Sequence, residues 1–349
     1  MQLSPKEARI VQHAIETWEK EGVIAQDQAQ TLRNAYEVSF FDWKRLAKYA
    51  FWMAIGSLLI ALSSVLADQW LIALFNTLFT APEGAKAVVF ALCAGGLYYV
   101  GIQKRRKNPE KTYSNEAVFF LGVVATAVSI AFLGKAIDTG SGHFSLLFLL
   151  ASLVYGALGL WFPSTLVWVF ALLSLGSWFG AETGYASGWG AYYLGMNYPM
   201  RFVLFGLVLL GLSTYVFGRW RSRASFLLPS RAIGLLYLFV ALWILSIFGN
   251  YGDPYAWKIA KQIELFHWSL LFGAAALGSI YYGLRYDDGL TRGFGITFLF
   301  INLYTRFFEY FWDSTHKAIF FSLLAVSFWY LGSKAQKIWN LEGLKHVVR

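Results

Sequence analysis

Apolar positions in this chain gather into long unbroken runs separated by short polar or glycine-containing connections, a pattern unlike the alternation of a half-buried strand. Ten windows stand out, at 46–66, 85–102, 117–134, 144–162, 165–180, 200–218, 232–249, 265–284, 292–311 and 318–332. Most approach the roughly 20 residues that cross a bilayer core as a helix. The expected fold is all-α: a polytopic transmembrane helical bundle of about ten spans filling residues 44–333. The turn Trp161-Phe162-Pro163-Ser164 carries no charge and barely separates two windows. Proline suits a new helix start there, because it has no amide to leave unpaired, so two helices are expected rather than one long one.

Four segments read as non-spanning. In residues 1–43, Ser4-Pro5-Lys6-Glu7 has the form of a capping box with proline at the first helical position. Ile10, Val11, Ala14, Ile15 and Trp18 then form one apolar stripe, Gly22 breaks it, and Ala29, Leu32, Ala35 and Tyr36 form a second. This predicts a small cytoplasmic helical hairpin, either a docking element for a protein partner or a piece resting on the membrane domain. Trp70, Leu71, Leu74, Phe75, Leu78 and Phe79 predict an interfacial helix, and Asp253-Pro254 opens a short one. Residues 334–349, with Ile338, Leu341, Leu344 and Val348 against Lys334, Lys337 and Lys345, predict an amphipathic cytoplasmic tail on anionic lipid.

Charge gives an independent test of the count. Only 14% of the 349 residues are charged against 57% apolar, too few to wrap a soluble core of this size. The net charge of +9 would suggest nucleic acid if it were clustered, but its placement follows the membrane. With both termini inside, the cytoplasmic side holds Lys44, Arg45, Lys48, Lys104, Arg105, Arg106, Lys107, Lys111, Arg219, Arg221, Arg223, Arg231, Arg285, Arg292, Lys334, Lys337, Lys345 and Arg349. The other side holds Lys86, Lys135, Arg201, Lys258, Lys261 and Lys317. Eighteen against six is the asymmetry of the positive-inside rule, so the bilayer, not nucleic acid, is the expected partner. The amino-terminal 22 residues lack the apolar core and cleavage site of a signal peptide, so the first span is expected to act as its own insertion signal.

Candidate chemistry is sparse. Asn302, Arg306, Glu309 and Asp313 recur at steps of four, three and four in the ninth window, so they share one helix face that cannot look into lipid. They read either as a substrate-binding or proton-coupling stripe, with Arg306 as anion anchor and Glu309 as titrating carboxylate, or as a self-neutralising pair that locks packing. Gly176, Gly180, Gly184 and Gly188 form a smooth ridge suited to close helix packing. Beyond it, Tyr185, Trp189, Tyr192 and Tyr193 offer outer aromatic contacts for a sugar or lipid headgroup, or an interfacial belt. Cys93 stands alone, the five histidines are scattered, and no phosphate loop, zinc motif or nucleophile elbow appears. No metal, cofactor or catalytic set is therefore expected.

Trp18, Glu21-Gly22-Val23-Ile24, Ala29, Leu32 and Tyr36 ahead of the first window, with an arginine and an acidic residue late in the chain, here Arg306 and Glu309, resemble the DUF2157 family of bacterial membrane proteins. The resemblance covers mainly residues 6–66 and implies the bacterial cytoplasmic (inner) membrane without an activity. Gln26-Asp27 departs from it where a Ser or Thr cap would start the second hairpin helix. The first expectation is a carrier or flippase for a small molecule or lipid-linked substrate, built from two five-helix halves, and the second a non-transporting scaffold or sensor that docks a partner through its hairpin. An intramembrane enzyme ranks third.

Overall fold

A computed structural model of the chain describes residues 2–3, 5–35, 37–38, 49, 52–57, 60, 81–138, 140, 142–312 and 315–340. Among these the fold is helical apart from a parallel pairing of β1 (Gln2–Leu3) with β2 (Glu37–Val38). The chain forms two compact units, Met1–Ala81 with Gly101–Val118, and Pro82–Val100 with Phe119–Arg349.

In the first unit, α1 (Pro5–Lys20) and α2 (Gln26–Asn34) make the hairpin. Gly22 takes φ +70° in the intervening turn, a left-handed conformation that glycine adopts without a Cβ clash. The weak start expected for α2 has a local remedy: the Ala25 amide donates to Gln28 Oε1 at 3.0 Å, supplying the glutamine half of a capping box. Ile15 and Ala29 are buried and Arg33 pairs with Glu19 at 2.7 Å. Val11 and Ala14 are partly buried, but Ile10, Trp18 and Leu32 are exposed, so the stripes do not fully close inward. Two short helices have too little area to bury both stripes. Residues 52–57 are helical. The remainder of the first window, the 70–79 stretch and residues 341–349 of the tail lie outside the described residues.

Helices α3 (Glu83–Lys107) and α4 (Thr112–Ala136) run through both units. The second unit continues with α5 (Ser145–Trp161), α6 (Thr165–Ala186), α7 (Tyr198–Arg219), a 3₁₀ turn (Arg221–Phe226), α8 (Leu227–Phe248), the short α9 (Pro254–Ile259), α10 (Gln262–Arg285), α11 (Gly289–Phe311) and α12 (Lys317–Asn340). Among the described residues, each window after the first thus lies on one continuous helix, although the helix holding 165–180 runs six residues further, to Ala186, and the one holding 318–332 eight further, to Asn340. The turn at Pro163 separates α5 from α6, and Ser164 caps α6 by accepting the Val167 amide. Six helical stretches are long and apolar enough to cross a membrane: α3, α4, α6, α7, Ala224–Phe248 and Ile263–Arg285. Helix α5 is shorter at 17 residues, and arginines dilute α11.

Successive helices pack as antiparallel pairs. Along α5 and α6 the contacts Gly159 to Trp168, Ser152 to Ala171 and Ser145 to Glu182 fall in one helix as they climb in the other. The same holds for Leu210 to Gly234 and Gly206 to Leu238, and for Gly283 to Arg292, Gly295 to Ala276 and Asn302 to Ser269. Glycine sets the spacing: a Cβ on Gly295 would sit 2.7 Å from the Ala276 carbonyl oxygen, and one on Gly206 2.7 Å from the Leu238 nitrogen. Leu235, Leu238, Phe239, Leu242, Phe272, Ala276 and Phe298 form a buried core between α8, α10 and α11. Outside it, Leu92, Leu153, Val208, Leu212, Leu277 and Trp329 are largely exposed, an apolar surface suited to lipid rather than water.

Candidate functional site

Two constellations carry polar chemistry in the second unit. The first is the α11 stripe. Asn302 is buried and doubly bound to α10: its Nδ2 donates to the Ser269 carbonyl at 3.0 Å, and Ser269 Oγ donates to its Oδ1 at 2.9 Å. One turn on, Arg306 Nη2 donates to Glu309 Oε1 at 2.8 Å and to the Ser246 carbonyl near the end of α8 at 2.9 Å. Its Nη1 lies 2.5 Å from Glu309 Oε2 as a charge contact without hydrogen-bond alignment. Beside it Trp243 Nε1 donates to Thr305 Oγ1 at 3.0 Å. Asn302 thus joins α11 to α10 and Arg306 joins it to α8, while Glu309 pairs with Arg306 within α11. Asp313 lies outside the described residues.

The second constellation lies at the end of the unit where α6, α8 and their following loops meet. Loops 187–197 and 249–253 are laced together there. Tyr192 Oη donates to the Asn250 carbonyl and accepts the Gly252 amide, Asn250 Oδ1 accepts the Asn197 amide, and Asn197 Nδ2 donates to the Gly249 carbonyl at 2.7 Å. They enclose an open cleft of 630 Å³ lined by Trp189, Tyr198, Phe248, Tyr251, Asp253 and Trp257. Trp189 is held at φ +60°, a conformation unfavourable for a bulky side chain, by an amide bond to the Gly184 carbonyl and by stacking on Phe144. Trp257 is fixed through Nε1 donating to the Ile247 carbonyl at 2.9 Å. Asp253 Oδ1 accepts the Tyr255 amide and starts α9.

Sequence reasoning passed over Arg201. It is 1% exposed, and its guanidinium donates to the Met196 and Ala191 carbonyls and lies 4.4 Å from the Tyr198 ring centre and 5.6 Å from that of Tyr193. Among the described residues no carboxylate pairs with it, so a buried positive charge stands behind the Tyr198 wall. A lone arginine at a helix start reads as a topology mark; the available signal was its place after a tyrosine-rich loop.

The four candidate aromatics have different settings. Trp189 lines the cleft. Tyr192 and Tyr193 are committed to the loop lacing and to Arg201. Tyr185 stacks flat on His143, centroids 3.9 Å apart, while His143 Nε2 lies 3.0 Å from Glu182 Oε2 and Ser145 Oγ donates to the same oxygen at 2.5 Å. Three ridge glycines adjoin aromatics: Gly176 meets Tyr237, Gly180 meets Phe202 and Gly184 meets Tyr198 and Trp189. Gly188 lies beyond α6, at φ +62° and with open space around it, so it takes no part in that packing.

At the opposite end of the α8, α10 and α11 group, Asp288 caps α11 and forms an ion pair with Arg231. Burial pushes its carboxyl up, but bonds from the Thr291 hydroxyl and amide and the Arg231 charge outweigh it and hold the group below the usual carboxylate range. Among the described residues no three His, Cys, Asp or Glu side chains gather as metal ligands. Comparison with protein-family models, curated proteins and solved structures finds no match to this chain.

Proposed function

We propose that the protein is a non-transporting membrane scaffold or sensor that works by binding, with the α11 stripe as structural glue. The observation that carries this reading is the commitment of Asn302 and Arg306 to interhelical bonds, with Glu309 paired to Arg306 within α11. A carrier needs groups that change partners during its cycle, whereas these tie three helices together. Ten spans, with both termini and the hairpin in the cytoplasm of a bacterial inner membrane, complete the proposal; it is supported by the charge asymmetry and the resemblance of residues 6–66. The cleft then faces the non-cytoplasmic side, available to an external ligand, while the exposed Ile10, Trp18 and Leu32 offer the hairpin's apolar face to a cytoplasmic partner.

The test is thermal stability in detergent of Arg306→Met, Glu309→Leu and the double mutant. Removing one partner strands a largely buried charge, which costs about 3 kcal/mol or more, while removing both with apolar residues of similar volume is near neutral. Structural glue predicts recovery in the double mutant. A double mutant no more stable than the worse single mutant, together with stability retained but function lost in Glu309→Gln, restores the carrier.

A further inference from the structure

We infer that the cleft between loops 187–197 and 249–253 takes a neutral saccharide ring. The inference rests on the reading that the protein acts by binding, and it names the ligand chemistry.

The walls supply the first half of the argument. Trp189 and Trp257 are indoles locked by contacts behind or beside them, one by stacking on Phe144 and the other by its Nε1 bond to the Ile247 carbonyl. A flat, electron-rich ring face pairs with the C–H face of a pyranose, whose hydrogens carry partial positive charge. The strained backbone at Trp189 gives a local cost that fixed presentation of this ring accounts for. At 630 Å³ the cleft is ample for one or two sugar rings and wider than the close cage that grips a bare ammonium group.

Charge supplies the second half. The buried Arg201 guanidinium occupies the far side of Tyr198, so a cation entering the cleft meets a positive field through that ring. Asp253 also lines the cleft, so an anion meets a carboxylate. Its Oδ1 is engaged with the Tyr255 amide, which leaves Oδ2 to accept a ligand hydroxyl. A polyhydroxyl ring without net charge is the class that fits aromatic faces, a carboxylate acceptor and opposing background charges together.

Such a ring could arrive as a free oligosaccharide or as a glycolipid headgroup, and the test separates them. The full-length protein, purified in a detergent without a sugar headgroup, is titrated calorimetrically with maltose, and in lipid nanodiscs with glucosyl-diacylglycerol against phosphatidylglycerol. Binding of maltose shows the free form; binding confined to the glycolipid shows the headgroup form. In either case Asp253→Asn and Trp257→Leu weaken it roughly tenfold or more. Asparagine keeps the Oδ1 cap of α9, so Asp253→Asn reports binding rather than folding. Binding of phosphocholine in place of either sugar overturns the saccharide class while leaving the cleft as a receiving site. Binding that both variants leave unchanged, or no binding of either sugar, overturns the inference. Failure of the binding reading itself appears elsewhere, in the stability of the Arg306 and Glu309 mutants, which this titration does not touch.

Discussion

Single residues decide how closely these helices approach. Gly295 faces the Ala276 carbonyl at a distance no Cβ can share, whereas Gly211 has open space around it. Gly295→Ala is therefore expected to destabilise the protein by about 1–3 kcal/mol through overpacking, while Gly211→Ala is neutral or stabilising by up to about 1 kcal/mol from helix propensity. Thermal melts of the two variants check this, and equal effects would remove the close-approach argument. Neither glycine belongs to the regular ridge at 176, 180, 184 and 188, whose last member leaves the helix. A four-residue repeat is easy to see in one segment. The contacts of Gly206, Gly234, Gly283 and Gly295 with the backbone of a facing helix depend on which helix comes opposite, and that is tertiary information. Arg201 was hidden for a related reason: its partners are carbonyls five and ten residues upstream and the faces of two tyrosines, none of which marks an ion pair in a sequence.

Elements were the most legible level. Nine of the ten apolar windows coincide with continuous helices among the described residues, because a run of that length without charge has few other ways to satisfy its backbone. The α11 stripe was legible as a face, through its 3.6-residue period, but its partners Ser269 and Ser246 were not, since they sit on other helices. The connection of α8 to α11 carries a pH prediction. Asp288 has a folded pKa below its ordinary value, so it binds protons less readily when folded. Its contribution is present above about pH 4, the unfolded value, and is lost as pH falls through the lower folded value. Melting temperature in detergent is expected to drop between pH 5 and pH 2 roughly as that proton binds, and the drop should be shallower in Asp288→Asn, which keeps the helix cap. An identical slope in both proteins would show that other carboxylates set it. For the hairpin, deletion of residues 1–40 is expected to leave membrane insertion intact, because Lys44, Arg45 and Lys48 remain beside the first window. Degradation or failed insertion of the truncated chain would make the hairpin integral to the fold.

At the scale of the whole molecule, a membrane setting explains three features together: helices of bilayer length, a largely apolar exposed surface, and basic residues gathered in alternate connections. Under the proposed orientation the aromatic cleft faces the non-cytoplasmic side and the α7–α8 connection the cytoplasm. Single-cysteine labelling tests that arrangement most directly. In a Cys93→Ser background, Ser187→Cys beside the cleft should react with an impermeant thiol reagent on intact cells, while Ser114→Cys and Ser225→Cys should react only after the membrane is opened. Labelling of Ser225→Cys from outside, or protection of Ser187→Cys until lysis, would contradict the orientation and with it an externally facing binding site.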